Sequence, residues 1–268
     1  MTGNSPKRNG RQRGMIVQQR DRELLLQLYE MRLADRDQLR VAAGFRSITR
    51  INARLLALYR EGLIRRFFLG VGASSKAIYS LAPRGAHLVG VQCRGPRRKQ
   101  NALLAADFSV IHLLAINDVY CNVRFNPSPV PNIRCLTWMA FTVPIAENPR
   151  LIPDGYAEFA TATGIESAFF EVDLGTEELK VWKEKARSYV SFAISGQFAK
   201  KFNQSRFRVL VLADSERRLK YIRAAVAEVT EKIFWFATLD ATRGPKFYDP
   251  LWLRPTGADY QPLFEQPR

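Results

Sequence analysis

The residues best suited to chemistry lie in two stretches, LIPDGYAEF and AFFEVDLGTEELKVWKEKARSYV. In the first, read as a strand, Asp154, Tyr156 and Glu158 share one face by the period-2 alternation of side chains. In the second, Glu171 and Asp173 share a face, and Phe170, Val172 and Leu174 take the other. If the two strands are neighbours, Asp154 comes beside Glu171 and Asp173. Three carboxylates at one strand end suit a hard, oxygen-preferring cation, Mg²⁺ or Mn²⁺. Such an ion polarises a phosphoryl oxygen and activates water. Lys185 and Tyr189 lie one helical turn apart and face the same cleft, and His112 is a candidate general base or DNA contact. The attacking group is expected to be water, with Tyr156 and Tyr189 as alternatives. The bland reading stays open beside this one: a paired, non-catalytic acidic centre, a core tyrosine, a solvated lysine and a structural histidine.

Strands and helices must alternate to position these groups. Strands are expected at 122–125, 134–141, 152–161, 167–174, 206–212 and 233–239, with helices at 102–120, 176–193 and 215–232. Thr176 is expected to start its helix. The pattern predicts an α/β domain over 102–243 with a mixed central sheet, followed by an extended proline-rich tail over 244–268.

The chain has 268 residues and a formal net charge of +16. Residues 1–100 hold 21 Lys+Arg and 6 Asp+Glu, a net of +15; the remaining 168 residues hold 20 and 19, a net of +1. A basic module joined to a near-neutral one predicts two domains, the first facing a polyanion. Arginine dominates the excess, and its fork suits phosphates and guanine edges.

Within the basic third, 1–18 reads as a disordered arm, 19–90 as a folded domain and 91–101 as a linker. Leu24, Leu25, Leu28 and Met31 recur at helical spacing. A short helix follows at 35–43, and Ser47 caps a third helix that ends at Gly62. Ile48, Ile51, Leu55, Leu58 and Tyr59 are assigned to its inner face. Arg46, Arg50, Ala53, Arg54 and Ala57 are assigned to the outer face, with Thr49 and Arg60 at its edge. Then come strand, glycine-rich tip and strand over 63–81. Three helices and a hairpin make a winged helix-turn-helix, in which the third helix enters the major groove and the wing follows the backbone. The expected DNA contacts are Arg46, Thr49, Arg50 and Arg54 on the helix, and Arg65, Arg66 and Lys76 on the wing. A winged helix serving protein contacts is the alternative.

Composition narrows the rest. Apolar residues make up 47%, enough for a core. No apolar run approaches the roughly 20 residues of a membrane span, and the first 20 residues lack the apolar segment of a secretory signal. Three cysteines without a CxxC fit reduced thiols in a cytoplasm. With only His87 and His112 in the chain, a histidine-hydrophobe-histidine relaxase site is excluded.

The phrasing LLALYREGLIRRFFLG followed by AIYSLAPRGAHLV resembles the MarR-like winged helices. Pro153-Asp154 and Glu171-Val172-Asp173 resemble the PD-(D/E)xK nuclease superfamily, with Asp173 where that motif carries lysine and Lys185 as a migrated ammonium. Lys185 and Tyr189 resemble its QxxxY element. Taken together with HLLAIND, these motifs resemble the replication-relaxation family of plasmid and mobile-element proteins over residues 20–255. That resemblance implies a restriction-endonuclease-like second domain and a role in DNA relaxation or replication initiation. Two functions are open: a metal-dependent protein that nicks its own DNA site, favoured by the acidic trio, and a non-enzymatic regulator or replication accessory factor, favoured by the missing lysine. The expected partners are double-stranded DNA, a second copy of the chain, and other replication or conjugation proteins.

Overall fold

A computed structural model of the protein describes residues 15–70, 75–94, 103–104 and 108–264. The chain divides into two compact units, Met1–Ala105 and Ala106–Arg268. The wing tip at 71–74, most of the expected arm and most of the expected linker lie outside the described residues.

The first unit begins with α1 (Gln19–Met31), whose Leu24, Leu25, Leu28 and Met31 are buried as their spacing requires. After β1 (Ala34–Asp35), Asp35 caps α2 (Arg36–Ala42) by accepting from the amides of Asp37 and Gln38 at 2.8 and 2.9 Å. Ser47 caps α3 (Ile48–Arg60), which buries Ile51, Leu55 and Leu58 against this core. β2 (Ile64–Leu69) and β3 (Lys76–Leu81) form an antiparallel hairpin with Phe67 opposite Ile78, both fully buried. β1 joins the edge of β3. A further helix, not expected from the sequence pattern, is α4 (Pro83–Val89), which has proline in its first turn and ends on Gly90. The short strand β4 (Leu103–Leu104) lies parallel to β2.

The second unit is a five-stranded mixed sheet with helices on both faces. It opens with α5 (Phe108–Phe125) and continues with β5 (Arg134–Met139), the small β6–β7 ribbon (Ala146–Glu147 and Arg150–Leu151), β8 (Gly155–Thr161) and β9 (Gly164–Asp173). Then follow α6 (Leu179–Ile194), α7 (Gln197–Phe202), β10 (Arg208–Ala213), α8 (Glu216–Ala227) and β11 (Phe234–Thr238). The strand order is β11-β10-β9-β8-β5, with β9, β10 and β11 parallel to one another and β8 antiparallel to both its neighbours.

Alternation along the strands divides the core. Tyr156, Phe169, Val209, Val211 and Phe236 meet Trp182, Tyr189, Phe192 and Ile222 of α6 and α8 on one face. Ala157, Phe170, Val172, Leu210 and Leu212 meet Val119 and Val123 of α5 and the C-terminal segment on the other.

Several expectations are corrected. Residues 122–125 are the last turn of α5, not a strand, because Ile116, Val119, Tyr120 and Val123 prolong its buried stripe. The helix expected from Thr176 begins at Leu179, with Glu178 at its cap position. Residues 244–264, whose prolines suggested an extended tail, include a 3₁₀ turn (Gly244–Tyr248) and pack Trp252, Leu263 and Phe264 into the core.

Candidate functional site

The acidic centre of the second unit is built where β9 outruns β8. The two strands pair as far as Gly155 opposite Phe170, and the Asp154 amide donates to the Phe170 carbonyl at 3.1 Å. Gly155 is required here: a Cβ would lie 2.5 Å from the Trp138 indole. Two residues further along β9, the backbone of Val172 faces the same side with no strand beside it. Side chains complete the ladder instead. The Val172 amide donates to Asp154 Oδ2 at 2.8 Å, and His112 Nε2 on α5 donates to the Val172 carbonyl at 2.8 Å. His112 Nε2 also lies 3.5 Å from Asp154 Oδ2. The hydrogen bond to Asp154 is the main reason the imidazole is held protonated, its pKa raised to about 9.

The side chains of Glu171 and Asp173 point into the face covered by α6 and α8. Glu171 is fully buried. Its Oε1 accepts from the Tyr189 hydroxyl at 2.6 Å, and its Oε2 accepts from Lys185 Nζ at 2.9 Å. The expected one-turn pairing on α6 is therefore a grip on a single carboxylate. Lys185 also reaches Glu177 at 2.9 Å. Burial pushes the Glu171 carboxyl up to about 7, against the pull of Lys185. Burial works to lower the Lys185 pKa, but Glu171 and Glu177 overcome it and hold the ammonium charged. Burial also drives the pKa values of Tyr189 and Tyr156 upward, so both phenols stay protonated within the core.

Asp173 is engaged by a residue the sequence reading did not single out. Arg218, in the first turn of α8, donates to its two oxygens at 2.7 and 2.8 Å. Trp182 Nε1 donates at 2.9 Å and the Gly175 amide at 2.7 Å, in a turn where Gly175 has φ +82°. Burial opposes ionisation, but these donors hold the carboxyl below its ordinary range. Arg218 could have been found only by placing α8 beside the end of β9, a relation that follows from β10 lying next to β9.

The donor set fits a divalent cation poorly. Among the described residues no three His, Cys, Asp or Glu side chains are grouped so as to hold a metal ion. Of the expected trio, Asp154 acts electrostatically on Glu171, and each carboxylate has its own cationic neighbour: His112 for Asp154, Lys185 for Glu171 and Arg218 for Asp173. Both oxygens of Glu171 and both of Asp173 are committed to donors. A cleft of about 190 Å³ opens beside them, lined by Ser109, His112, Asp173, Thr176 and Glu177 among others.

In the first unit, the exposed face of α3 is rotated from the expected one. Thr49, Asn52, Ala53, Leu56 and Arg60 form the outward stripe, with Arg46 and Arg50 exposed to one side. Arg54 does not belong to it. Its guanidinium forks onto the buried carboxylate of Asp21 on α1 and donates to the Ile16 carbonyl at 2.9 Å. On the hairpin, Lys76 is exposed and pairs with Asp35. Arg66 lies over the rings of Tyr59 and Phe68 at 4.6 and 5.1 Å, and Arg65 is half-buried. Asn52 and Leu56 carry no charge signal in the sequence, where the arginines point to a different centre for the outer face.

Among the described residues, no helix is long and apolar enough to cross a membrane. The family model described as Replication-relaxation matches residues 25–205, about two thirds of the chain. No curated protein and no solved structure matches the chain.

Proposed function

The chain belongs to the replication-relaxation family, and from that premise we propose that it is a duplex-DNA-binding replication accessory factor or regulator of a plasmid or mobile element. In this reading the first unit is a winged helix and the second a nuclease-like fold whose acidic centre has become structural. The first unit supplies the attraction: a net of +15 over the first 100 residues, with Arg50 and Arg60 exposed on α3 and Arg46 exposed just before it. Positioning would come from phosphate contacts by these arginines and by Arg65, Arg66 and Lys76 of the hairpin. The second unit would hold a second copy of the chain or another replication or conjugation protein.

The observation that carries the non-enzymatic reading is the pairing of Asp173 with Arg218 and of Glu171 with Lys185 and Tyr189. Ions bound there would have to displace short, buried hydrogen bonds. The structural reading also gives Asp154 a task, since it satisfies the Val172 amide left without a partner strand.

Metal-dependent nicking is the second reading. One observation favours it: Lys185 places an ammonium beside Glu171 although the position two residues after Glu171 is Asp173, so a helix residue replaces the motif lysine. In that reading Asp154 and Glu171 would bind Mg²⁺ or Mn²⁺.

The test is supercoiled plasmid carrying the element's own origin, incubated with the full chain and Mg²⁺ or Mn²⁺. The expected result is retarded DNA that stays supercoiled, with retention lost steeply as salt rises. Open circles that appear with wild type and metal but not with Asp154→Asn would establish the nicking reading instead.

A further inference from the structure

The outward stripe of α3 has a chemistry of its own. Its centre is not cationic. Thr49, Asn52, Ala53 and Leu56 follow one another up the helix at spacings of three, one and three residues, all exposed. Leu56 is 41% exposed and Ile48, one turn before Asn52, is 51% exposed. Ile48 and Leu56 present apolar surface at this stripe that a partner can cover. Arg50 lies to one side of this stripe, Arg46 precedes the helix and Arg60 ends the stripe at its last turn, so the covering surface is polyanionic around its edge and carries apolar groups at its centre. The floor of a DNA major groove has that composition: phosphates on both walls, thymine C5-methyl groups and base edges between them.

Resting on the DNA-binding reading above, we infer that α3 reads an A·T-containing step in the major groove, with Asn52 as the adenine reader and Leu56 packed on a thymine methyl. An asparagine amide presents one donor and one acceptor side by side, matching adenine N7 and N6. The exposed arginines, which match guanine, lie beside the stripe at Arg50 and at its two ends, Arg46 and Arg60, where phosphates lie. Ala53 adjoins Asn52 and has no bulk to hold the helix off the bases. Asn52 and Leu56 are four residues apart, about 6 Å along the helix. That rise spans about two base-pair steps of roughly 3.4 Å each, so the methyl contact is expected within two base pairs of the adenine. Arg54, committed to Asp21, takes no part in base reading.

The experiment selects duplexes from a random library with the full chain, then measures affinity by anisotropy for the enriched site and for a scrambled duplex. Enrichment of an adenine with a thymine within two base pairs is expected. Asn52→Ala should lose about 5- to 150-fold on the enriched site and change the scrambled duplex little. Replacing that adenine with 7-deazaadenine should weaken wild type but leave Asn52→Ala unaffected, which isolates the N7 contact. Both side chains are exposed, and the melting temperature of each variant checks that folding is intact.

Selection of sites without A·T preference, or an Asn52→Ala variant that binds the enriched site like wild type, would overturn the inference while leaving DNA binding standing. A Leu56→Ala variant that shifts oligomeric state without changing DNA affinity would assign the stripe to a protein contact and likewise overturn it. Failure to retain any duplex at low salt would remove both this inference and the DNA-binding reading.

Discussion

Arg218 meets Asp173 as a fork on a carboxylate, with hydrogen bonds of 2.7 and 2.8 Å to its two oxygens. The pair ties the first turn of α8 to the end of β9. The same bonds engage both carboxylate oxygens of the third acidic residue of the motif. Asp173 is almost wholly buried, and Trp182 and Gly175 satisfy its remaining acceptor capacity.

Breaking this pair from one side leaves a buried charge without its partner. Arg218→Met is expected to destabilise the second unit by about 3–5 kcal/mol. Arg218→Met combined with Asp173→Asn should recover part of that loss. All four tryptophans lie beyond residue 106, so tryptophan fluorescence in urea reports this unit alone. A midpoint for Arg218→Met equal to wild type would show that the fork contributes nothing.

Tyr189 and Lys185 are separable. Tyr189→Phe leaves Glu171 Oε1 without its donor in a fully buried setting, at an expected cost of about 1–3 kcal/mol. Lys185→Met removes the charge partner and should cost more. If the two variants lose equal stability by urea unfolding, the ionic contact is no stronger than the neutral one.

His112 gives the second unit a pH dependence of known sign. Its folded pKa of about 9 lies above the ordinary 6.5, because of its hydrogen bond to Asp154. Its contribution is therefore complete below pH 6.5 and is lost as pH rises through 9. Unfolding free energy should decline across that window in wild type and decline less in His112→Gln. An imidazole titrating near 6.5 by NMR would contradict this directly.

Arg54 is expected to act on stability, not on base reading. Asp21 is 1% exposed, and losing its fork should cost about 3–5 kcal/mol in the first unit. Arg54→Ala should accelerate hydrogen exchange in both α1 and α3. Any loss of DNA affinity should apply equally to specific and scrambled duplexes. A site-selective loss with unchanged exchange would return Arg54 to the reading face.

Local patterning determined much of this protein without the structure. The leucine spacing of α1, the Ser47 cap, the Gly62 stop and the alternation through 167–174 act within a few residues, so each can be read from its own neighbourhood. The pairing of residues 154–161 with the following strand was legible for the same reason, because a short turn joins them. Charge partners were not legible. Arg54 and Asp21 are 33 residues apart, and Arg218 and Asp173 are 45 apart. Both arginines could have faced solvent on pattern alone. Only the packing of α3 on α1, and of α8 beside β9, brings each guanidinium to a buried carboxylate that would otherwise be uncompensated. The acidic trio has the same explanation. Period-2 alternation put Glu171 and Asp173 on one face, but the helices that cover that face decide whether their oxygens meet an ion or a side chain. Here α6 and α8 supply Lys185, Tyr189, Trp182 and Arg218, since a carboxylate withdrawn from water must find donors within the fold.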